Sequence, residues 1–260
     1  MGELEITFFG TGTSHGIPVI GCECSVCSSR DPRDKRLRAA IQVRTPEMII
    51  QVDTPPDFRI QCLRERVSHL DAVIYTHSHM DHILGFDDLR RFCEMEDKGM
   101  PIYAVERTLN DLRRVFHYAF GEDFRHRNYI RPEPVTIDGP FFLGETEIVP
   151  VDLPHGRMTT TGLVFQRRGR KLLAYYTDCA EVPAAAEEAA RGVDTLVVDA
   201  LRHAPHATHM SLAAATEAAE RIGARRTFFT HMCHDLGHTQ TERALPENIR
   251  LAYDGLRIEI

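Results

Sequence analysis

The sequence predicts an α/β fold with mixed sheets, and three observations carry that expectation. Short apolar β-type runs recur from one end of the chain to the other. Helical patterns, with apolar residues at three and four residue spacing, fall between them. Finally, "RTPEM" joins two of the runs as a hairpin, which places antiparallel neighbours in sheets that strand and helix alternation would otherwise make parallel.

Taken in order, the strands are LEITFFG, AAIQVRT, MIIQVDT, DAVIYTH, PIYAVE, TEIVPVDLP, GLVFQRRG, KLLAYYTD, DTLVVDA, RRTFFTH and LRIEI. Many are bounded by glycine, proline or charged turns. Helices are expected over 82–96, 107–118, 181–191, 211–223 and 240–250, with Ser211 placed to cap the fourth of them. The 260 residues suffice for one large α/β domain whose core needs no covalent staples. No Gly/Ser linker, low-complexity tract, charge block or solenoid repeat divides the chain, so 1–260 is read as one domain. Residues 91–134, charged and turn-rich at the end, are the candidate helical insertion or lid.

Lysine and arginine total 31 against 38 acidic residues, a formal charge of -7, which argues against generic adhesion to nucleic acid or to anionic membrane. A phosphate-bearing ligand would need local positive charge. No stretch approaches the roughly 18 consecutive apolar residues of a spanning helix. The start, MGELEITFFGTG, does not read as a secretory signal or a myristoylation site. A cytoplasmic protein is the expectation. The seven cysteines form no secreted disulfide framework, since three fall in "CECSVC" and four are scattered. Fourteen histidines cluster near 77–82, 203–209 and 231–238, and clusters ask for a chemical reason.

"THSHMDH" closes an apolar strand and opens a helix. Alternate side chains of an extended segment point the same way, so His77 and His79 can converge on one metal. Asp81 and His82, past the turn, can face a second ion about 3.5–4 Å away, the spacing of two-metal hydrolytic sites. Two ions need further ligands at later strand ends. His155 in "VDLPHG", Asp178 in "AYYTD" and His231 in "TFFTH" supply them, and Asp178, with two oxygens, is the natural bridge.

His77, His79, Asp81 and His82 in H-x-H-x-D-H spacing, followed by a lone histidine, an aspartate and a last histidine after successive strands, resemble the metallo-β-lactamase superfamily. That resemblance implies a four-layer αββα sandwich with the metals at one edge of its two sheets. It also makes Asp53, in "IIQVDT", a group that orients a ligating histidine without binding metal itself.

"GCECSVC" offers Cys22, Cys24 and Cys27, three soft ligands and one short of a closed tetrahedral zinc site. Cys233, His234 and His238 in "THMCHDLGH" are the available fourth ligands. Together "GTGTSHGIPVIGCECSVC" and "THMCH" are similar to the PhnP-type phosphoribosyl cyclic phosphodiesterases. In that family a Cys-x-Cys-x-x-Cys loop and a late histidine hold a structural zinc, which implies His234 here with Cys233 as runner-up. The same resemblance places His209, in "RHAPHATHMSL", as the catalytic histidine that protonates the leaving oxygen. Members of the family often dimerise, so a homodimer is implied as well.

Around these, His203, His206, Arg157 and Arg202 are substrate-contact candidates, and His15, between two glycines, is a candidate supporting group. His69, His117 and His126 read as surface or packing residues. "GTGTSHG" lacks the lysine of a phosphate loop and reads as a turn beside the site.

The implied function is hydrolysis of a small or cyclic phosphodiester, with 5-phosphoribosyl 1,2-cyclic phosphate as the favoured substrate. Two divalent cations, zinc or manganese, would bring a shared water's pKa toward about 7, giving a hydroxide nucleophile, with His209 as the acid. The same fold hosts thioester or lactone hydrolases and RNA-processing nucleases. A metal-binding carrier without catalysis is the rival from outside enzymology.

Overall fold

Two seven-stranded sheets face each other, each antiparallel at one end and parallel at the other. The structure is a computed structural model that describes residues 2–121 and 129–260. The first sheet contains β1 (Glu5–Gly10), β2 (Ala40–Arg44), β3 (Ile49–Val52), β4 (Ala72–Ile74), β5 (Met100–Ala104) and β6 (Pro132–Thr136). The second contains β7 (Phe141–Leu143), β8 (Thr146–His155), β9 (Met158–Arg167), β10 (Arg170–Tyr176), β11 (Thr195–Asp199), β12 (Arg226–Thr230) and β13 (Ile249–Leu251). A last strand, β14 (Arg257–Glu259), returns to pair antiparallel with β1. The orders are β14-β1-β2-β3-β4-β5-β6 and β13-β12-β11-β10-β9-β8-β7. The expected hairpin is present, with β2 and β3 antiparallel and the Thr45 amide donating to the Met48 carbonyl.

Both faces of both sheets are covered, and the period of two in each strand shows how. From β1 and β4, Ile6, Phe8 and Ile74 point inward against Leu163, Phe165, Leu173, Tyr175 and Val197 of the second sheet. Val73 and Tyr75 point the other way, into a layer with Phe58, Phe92, Leu109 and Leu112. Those side chains come from α1 (Phe58–Glu65), α3 (Arg90–Glu96) and α4 (Glu106–Val115), with the short α2 (Met80–Ile83) and α5 (His117–Phe120) beside them. On the far side Ala174, Tyr176, Leu196 and Val198 meet Ala186, Ala190, Ala215, Ala218 and Ile222 of α6 (Ala184–Ala190) and α7 (Leu212–Ile222). The small alanines let these helices lie close to the sheet. The result is the four-layer αββα sandwich that the sequence resemblance implies. Truncating Phe165, fully buried between the sheets, to alanine should cost about 3–5 kcal/mol.

Ser211 caps α7 as expected, its Oγ accepting from the Ala214 amide, and Gly223 ends the helix in the left-handed conformation. Elsewhere the helices depart from expectation for identifiable reasons. The stretch 82–96 breaks into α2, a 3-10 turn at Phe86–Leu89 and α3. The Gly85 amide donates to the Thr54 carbonyl, and a Cβ there would lie 2.3 Å from the Pro55 oxygen. The stretch 240–250 yields only α8 (His238–Glu242), because beyond Pro246 the chain turns extended and β13 pairs parallel with β12. Described residues of 91–134, the candidate insertion or lid, contribute to the first sheet itself. They supply β5 and the start of β6, both inside the first sheet, and α3 to α5 on its outer face; residues 122–128 lie outside the described residues.

Candidate active site

The chemistry-bearing side chains gather where strands end. Asp53 follows β3, Thr76 to His82 follow β4, His155 ends β8, Asp178 follows β10, Asp199 ends β11 and His231 follows β12. Apolar side chains occupy the strand interiors, so these polar groups stand where the chain leaves the sheet, at the carboxyl ends of strands with parallel neighbours and, for His155, at the end of the antiparallel β8. Asp53, Asp178 and His231 share left-handed backbone, with φ of 62°, 54° and 56°. A side chain other than glycine pays about 1–2 kcal/mol for that conformation, and all three of these are functional candidates.

Two donor sets form around one carboxylate. His77, His79, His155 and Asp178 bring one ligand atom each to within 4.8 Å of one another, and Asp81, His82, Asp178 and His231 do the same. Asp178 belongs to both. Its Oδ2 lies 3.2 Å from His231 Nε2 and 3.8 Å from His77 Nε2, while Oδ1 lies 3.3 Å from His82 Nε2. Asp81 Oδ2 sits 3.5 Å from His82 Nε2 and 3.7 Å from His231 Nε2. Across the first set, His155 Nε2 and His79 Nδ1 are 3.2 Å apart.

The ring orientations are held from behind. Asp53, fully buried, accepts from the Thr76 amide, from Thr76 Oγ1 and from His82 Nδ1, the last at 2.8 Å. A carboxylate can only accept, so Nδ1 carries the proton it shares with Asp53, and Nε2 is the nitrogen turned toward Asp178. His155 Nδ1 lies 2.8 Å from the Thr208 carbonyl in the same way, which turns its Nε2 inward.

These donors fit divalent cations. Buried Nε2 atoms of His77, His82 and His231 have no hydrogen-bond partner, a costly state unless a cation accepts their lone pairs. Charge agrees. Burial opposes protonation of His82, yet Asp178, Asp81 and Asp53 hold its pKa well above the usual value. Burial likewise opposes charge on His231, and Asp178, Asp81 and Asp199 overcome it and raise its pKa. Burial would favour neutral Asp178, but His231, His82 and His77 keep it well below the ordinary carboxylate range. A pocket with such a carboxylate excess attracts positive charge, and imidazole with carboxylate suits zinc, manganese or iron.

Beside the shared aspartate, His209 Nδ1 lies 2.8 Å from Asp199 Oδ2, and its ring stacks on His231 with centroids 4.7 Å apart. Asp199 is fully buried and also receives the Cys179 amide. Both line or adjoin a cleft of about 460 Å³ bordered by His79, Asp81, His155, Asp178, His209 and His231.

A second, separate cluster joins Cys22, Cys24, Cys27 and His234. The three thiol sulfurs lie 3.3, 3.6 and 3.5 Å from His234 Nδ1, the donor set of a closed Cys₃His zinc site. The Cys27 amide points at Cys24 Sγ and lowers its pKa to about 7, while burial pushes Cys27 up to about 11. Cys233 instead accepts from the Asp235 amide and stands outside the cluster, so His234 is the residue brought to the three thiols. Buried Arg36 ties the loop in place by donating to the carbonyls of Cys233 and Leu236.

Not every candidate reaches the cleft. His15 is exposed, and its neighbour Ser14 lines the cleft instead. Arg202 donates to the carbonyls of Ala204 and Pro205 within its own loop and does not line the cleft. His203 is exposed and does not line the cleft. His206 packs near His209 at a centroid distance of 5.4 Å without lining the cleft. Arg157 does border it. His69 pairs with Asp71 and Glu96 at the surface, His117 is exposed, and His126 lies outside the described residues.

Two residues escaped the sequence. Asp199 closes "DTLVVDA", the same strand-end aspartate signature as Asp53 and Asp178, so its signal was present. Arg107 lines the cleft from the start of α4, and no motif marks it.

Comparison with known proteins agrees with this architecture. Residues 49–232 match the β-lactamase superfamily domain. A solved structure described as a new diphosphatase from the PhnP family is 41% identical, covers 99% of this chain and 97% of its own, and superposes with a TM-score of 0.91. An octanoyltransferase of Porphyromonas gingivalis is 32% identical over 257 residues, 97% of this chain, and the chain spans 51% of that relative's length. Zn(2+)-bound PqqB from Methylobacterium extorquens, at 19% identity, 98% and 100% coverage and a TM-score of 0.82, shares the fold. No helix among the described residues is long and apolar enough to cross a membrane. With its sandwich, its strand-end donors and these likenesses, the chain belongs to the metallo-β-lactamase superfamily and, within it, to the PhnP family.

Proposed function

We propose that the chain is a dinuclear metal-dependent hydrolase of small phosphodiesters, with 5-phosphoribosyl 1,2-cyclic phosphate as the favoured substrate. The single observation behind this is the sharing of Asp178 between two donor sets, with His209 stacked beside them on His231. His77, His79 and His155 would hold one cation, Asp81, His82 and His231 the other, and Asp178 both. Bound there, the pair would supply Lewis acidity toward a phosphoryl group and activation of water. The remaining work falls to the protein. Asp53 fixes the tautomer of His82, and the Thr208 carbonyl fixes that of His155. Asp199 holds the His209 Nδ1 proton, leaving Nε2 to deliver a proton to the leaving oxygen. A structural zinc on Cys22, Cys24, Cys27 and His234 would stiffen the loop beside β12.

A second reading, cleavage of a diphosphate linkage, is favoured by the 41% identical relative described as a diphosphatase. Both reactions displace an oxygen from phosphorus and would use the same residues. An acyl substrate is the weaker alternative, since an acid aimed at a leaving oxygen has less to do in thioester cleavage. A panel of the cyclic phosphate, bis(p-nitrophenyl) phosphate, a nucleoside diphosphate ester and a thioester separates these, run beside metal analysis. Turnover of the cyclic phosphate that His209→Ala abolishes supports the proposal. Inertness of the fully metal-loaded protein toward all phosphorus substrates refutes it.

A further inference from the structure

Between α1 and α3 runs an apolar groove. Leu63 and Met95 are 62% and 43% exposed beside Phe58, Val67 and Phe92, and the groove encloses about 480 Å³, within the size range of small-molecule sites. Ile60, also exposed, continues the apolar strip along α1. On the other helical layer, α6 and α7 expose no large apolar side chain among the described residues. Apolar surface left open on one layer and closed on the other marks a binding face.

A polar pocket of about 140 Å³ adjoins the groove, and Arg66, Val67 and Ser68 border both. Its other walls follow from the strand period. Ile6, Ile41 and Val43 point between the sheets, so Glu5 and Thr7 of β1 and Gln42 and Arg44 of β2 stand on the outer face. In register, Thr7 lies between Gln42 and Arg257 of β14. Gln42 is 6% exposed and its Nε2 has no hydrogen-bond partner. The buried Nε of Arg44 has none either, with Glu5 Oε1 4.0 Å away. Buried donors without an acceptor are costly, and both residues border the pocket.

Charge points the same way. Groove and pocket carry Arg44, Arg59, Arg66, Arg91 and Arg257 against Glu5, Glu65 and Asp88. Arg91 and Arg257 pair with Glu94 and Glu65, and His69 at the pocket is tied to Asp71 and Glu96. Arg59 and Arg66 are exposed and have no carboxylate partner among the described residues. On a chain of formal charge -7, this is a local surplus of cations beside an apolar slot.

We propose that groove and pocket form one site for a single-chain anionic amphiphile. Its apolar tail lies along Phe58, Leu63, Phe92 and Met95, and its carboxylate or phosphate head is received by Gln42, Arg44 and Arg66. None of these residues lines the catalytic cleft, so the site is separate from the hydrolytic centre and does not depend on which substrate that centre takes. Guanidinium offers paired donors to either head.

Calorimetry on the metal-loaded protein, below micelle-forming concentrations, compares decanoate, decyl phosphate and decyltrimethylammonium, with acetate and inorganic phosphate as heads without a tail. One anionic amphiphile per chain should bind with a Kd below about 100 μM, and the tighter of the two anions names the head. The cationic amphiphile, acetate and phosphate should bind at least about tenfold more weakly. Leu63→Gln and Arg66→Gln, both at exposed positions, should each weaken the anionic amphiphiles about tenfold, with melting temperature and metal content held. Equal binding of anionic and cationic amphiphiles, no saturable binding of either anion, or an affinity unmoved by either substitution overturns the site. So does sedimentation that shows a dimer which Leu63→Gln dissociates, because a second copy of the chain then fills the groove.

Discussion

His209 gives its Nδ1 to Asp199 Oδ2 at 2.8 Å while its ring lies 12° from parallel with His231. The carboxylate cannot donate, so the His209 nitrogen facing the cleft is Nε2. A general acid placed this way matters most when the leaving oxygen is basic. His209→Ala should therefore lower kcat on a ribose ester by about 10²–10⁴-fold and affect a p-nitrophenyl ester far less. Asp199→Asn should show the same leaving-group pattern with a smaller loss. Equal losses on both esters would remove the acid role.

Asp53 and Asp178 should fail in different ways. Asp53→Ala leaves every ligand in place but frees the His82 ring, so metal affinity should fall about 10–100-fold, with activity restored by excess metal. Asp178→Ala removes the only carboxylate common to both donor sets, so added metal should not rescue it. Chelator titration with metal analysis distinguishes them.

The thiol cluster should behave as a stabilising element apart from catalysis. Cys24→Ala or His234→Ala should release one metal per chain while the catalytic pair stays bound. If that site supplies about 3 kcal/mol, the melting temperature drops by roughly 6–12 °C. Calorimetry beside metal counting checks it, and an unchanged metal count would contradict it.

Asp254 makes stability depend on pH. Burial raises its pKa from 3.8 to about 6, although Thr11, the Leu37 amide and Arg64 all face it. Between those values the native carboxyl keeps a proton that the unfolded chain has lost, so its contribution is full below pH 3.8 and is lost as pH rises through about 6. Asp254→Asn can keep both neutral bonds, its oxygen on the Leu37 amide and its amide on Thr11. The variant's stability relative to wild type should climb by about 3 kcal/mol from pH 4 to pH 7 and then level off. Urea unfolding at four pH values would show this, and a pH-independent difference would contradict it.

The sandwich and the donor residues were legible because one physical rule produces both. Apolar strands such as "VIYTH", "AYYTD" and "TFFTH" bury their interiors, so a polar ligand following such a run marks a strand end. Helix limits were less legible. Gly85 breaks one pattern through a close approach to Pro55, a tertiary contact that periodicity cannot contain. Of the three histidines in "RHAPHATHM", the family resemblance singled out His209, and the Asp199 carboxylate behind it supplies the physical reason that the sequence could not show. Arg107 was hidden for a similar reason, since its place on the cleft follows from the Ser78 to Asp111 bond rather than from its neighbours in the chain.

The most direct measurement is an anomalous-scattering map of crystals of the metal-loaded protein, collected at the edge of the metal found in solution. Expected are two peaks about 3.5–4 Å apart flanking Asp178, and a third among Cys22, Cys24, Cys27 and His234. A map with no peak at Asp178, or with one ion there and the second donor set turned away, would contradict the dinuclear centre on which the proposed chemistry depends.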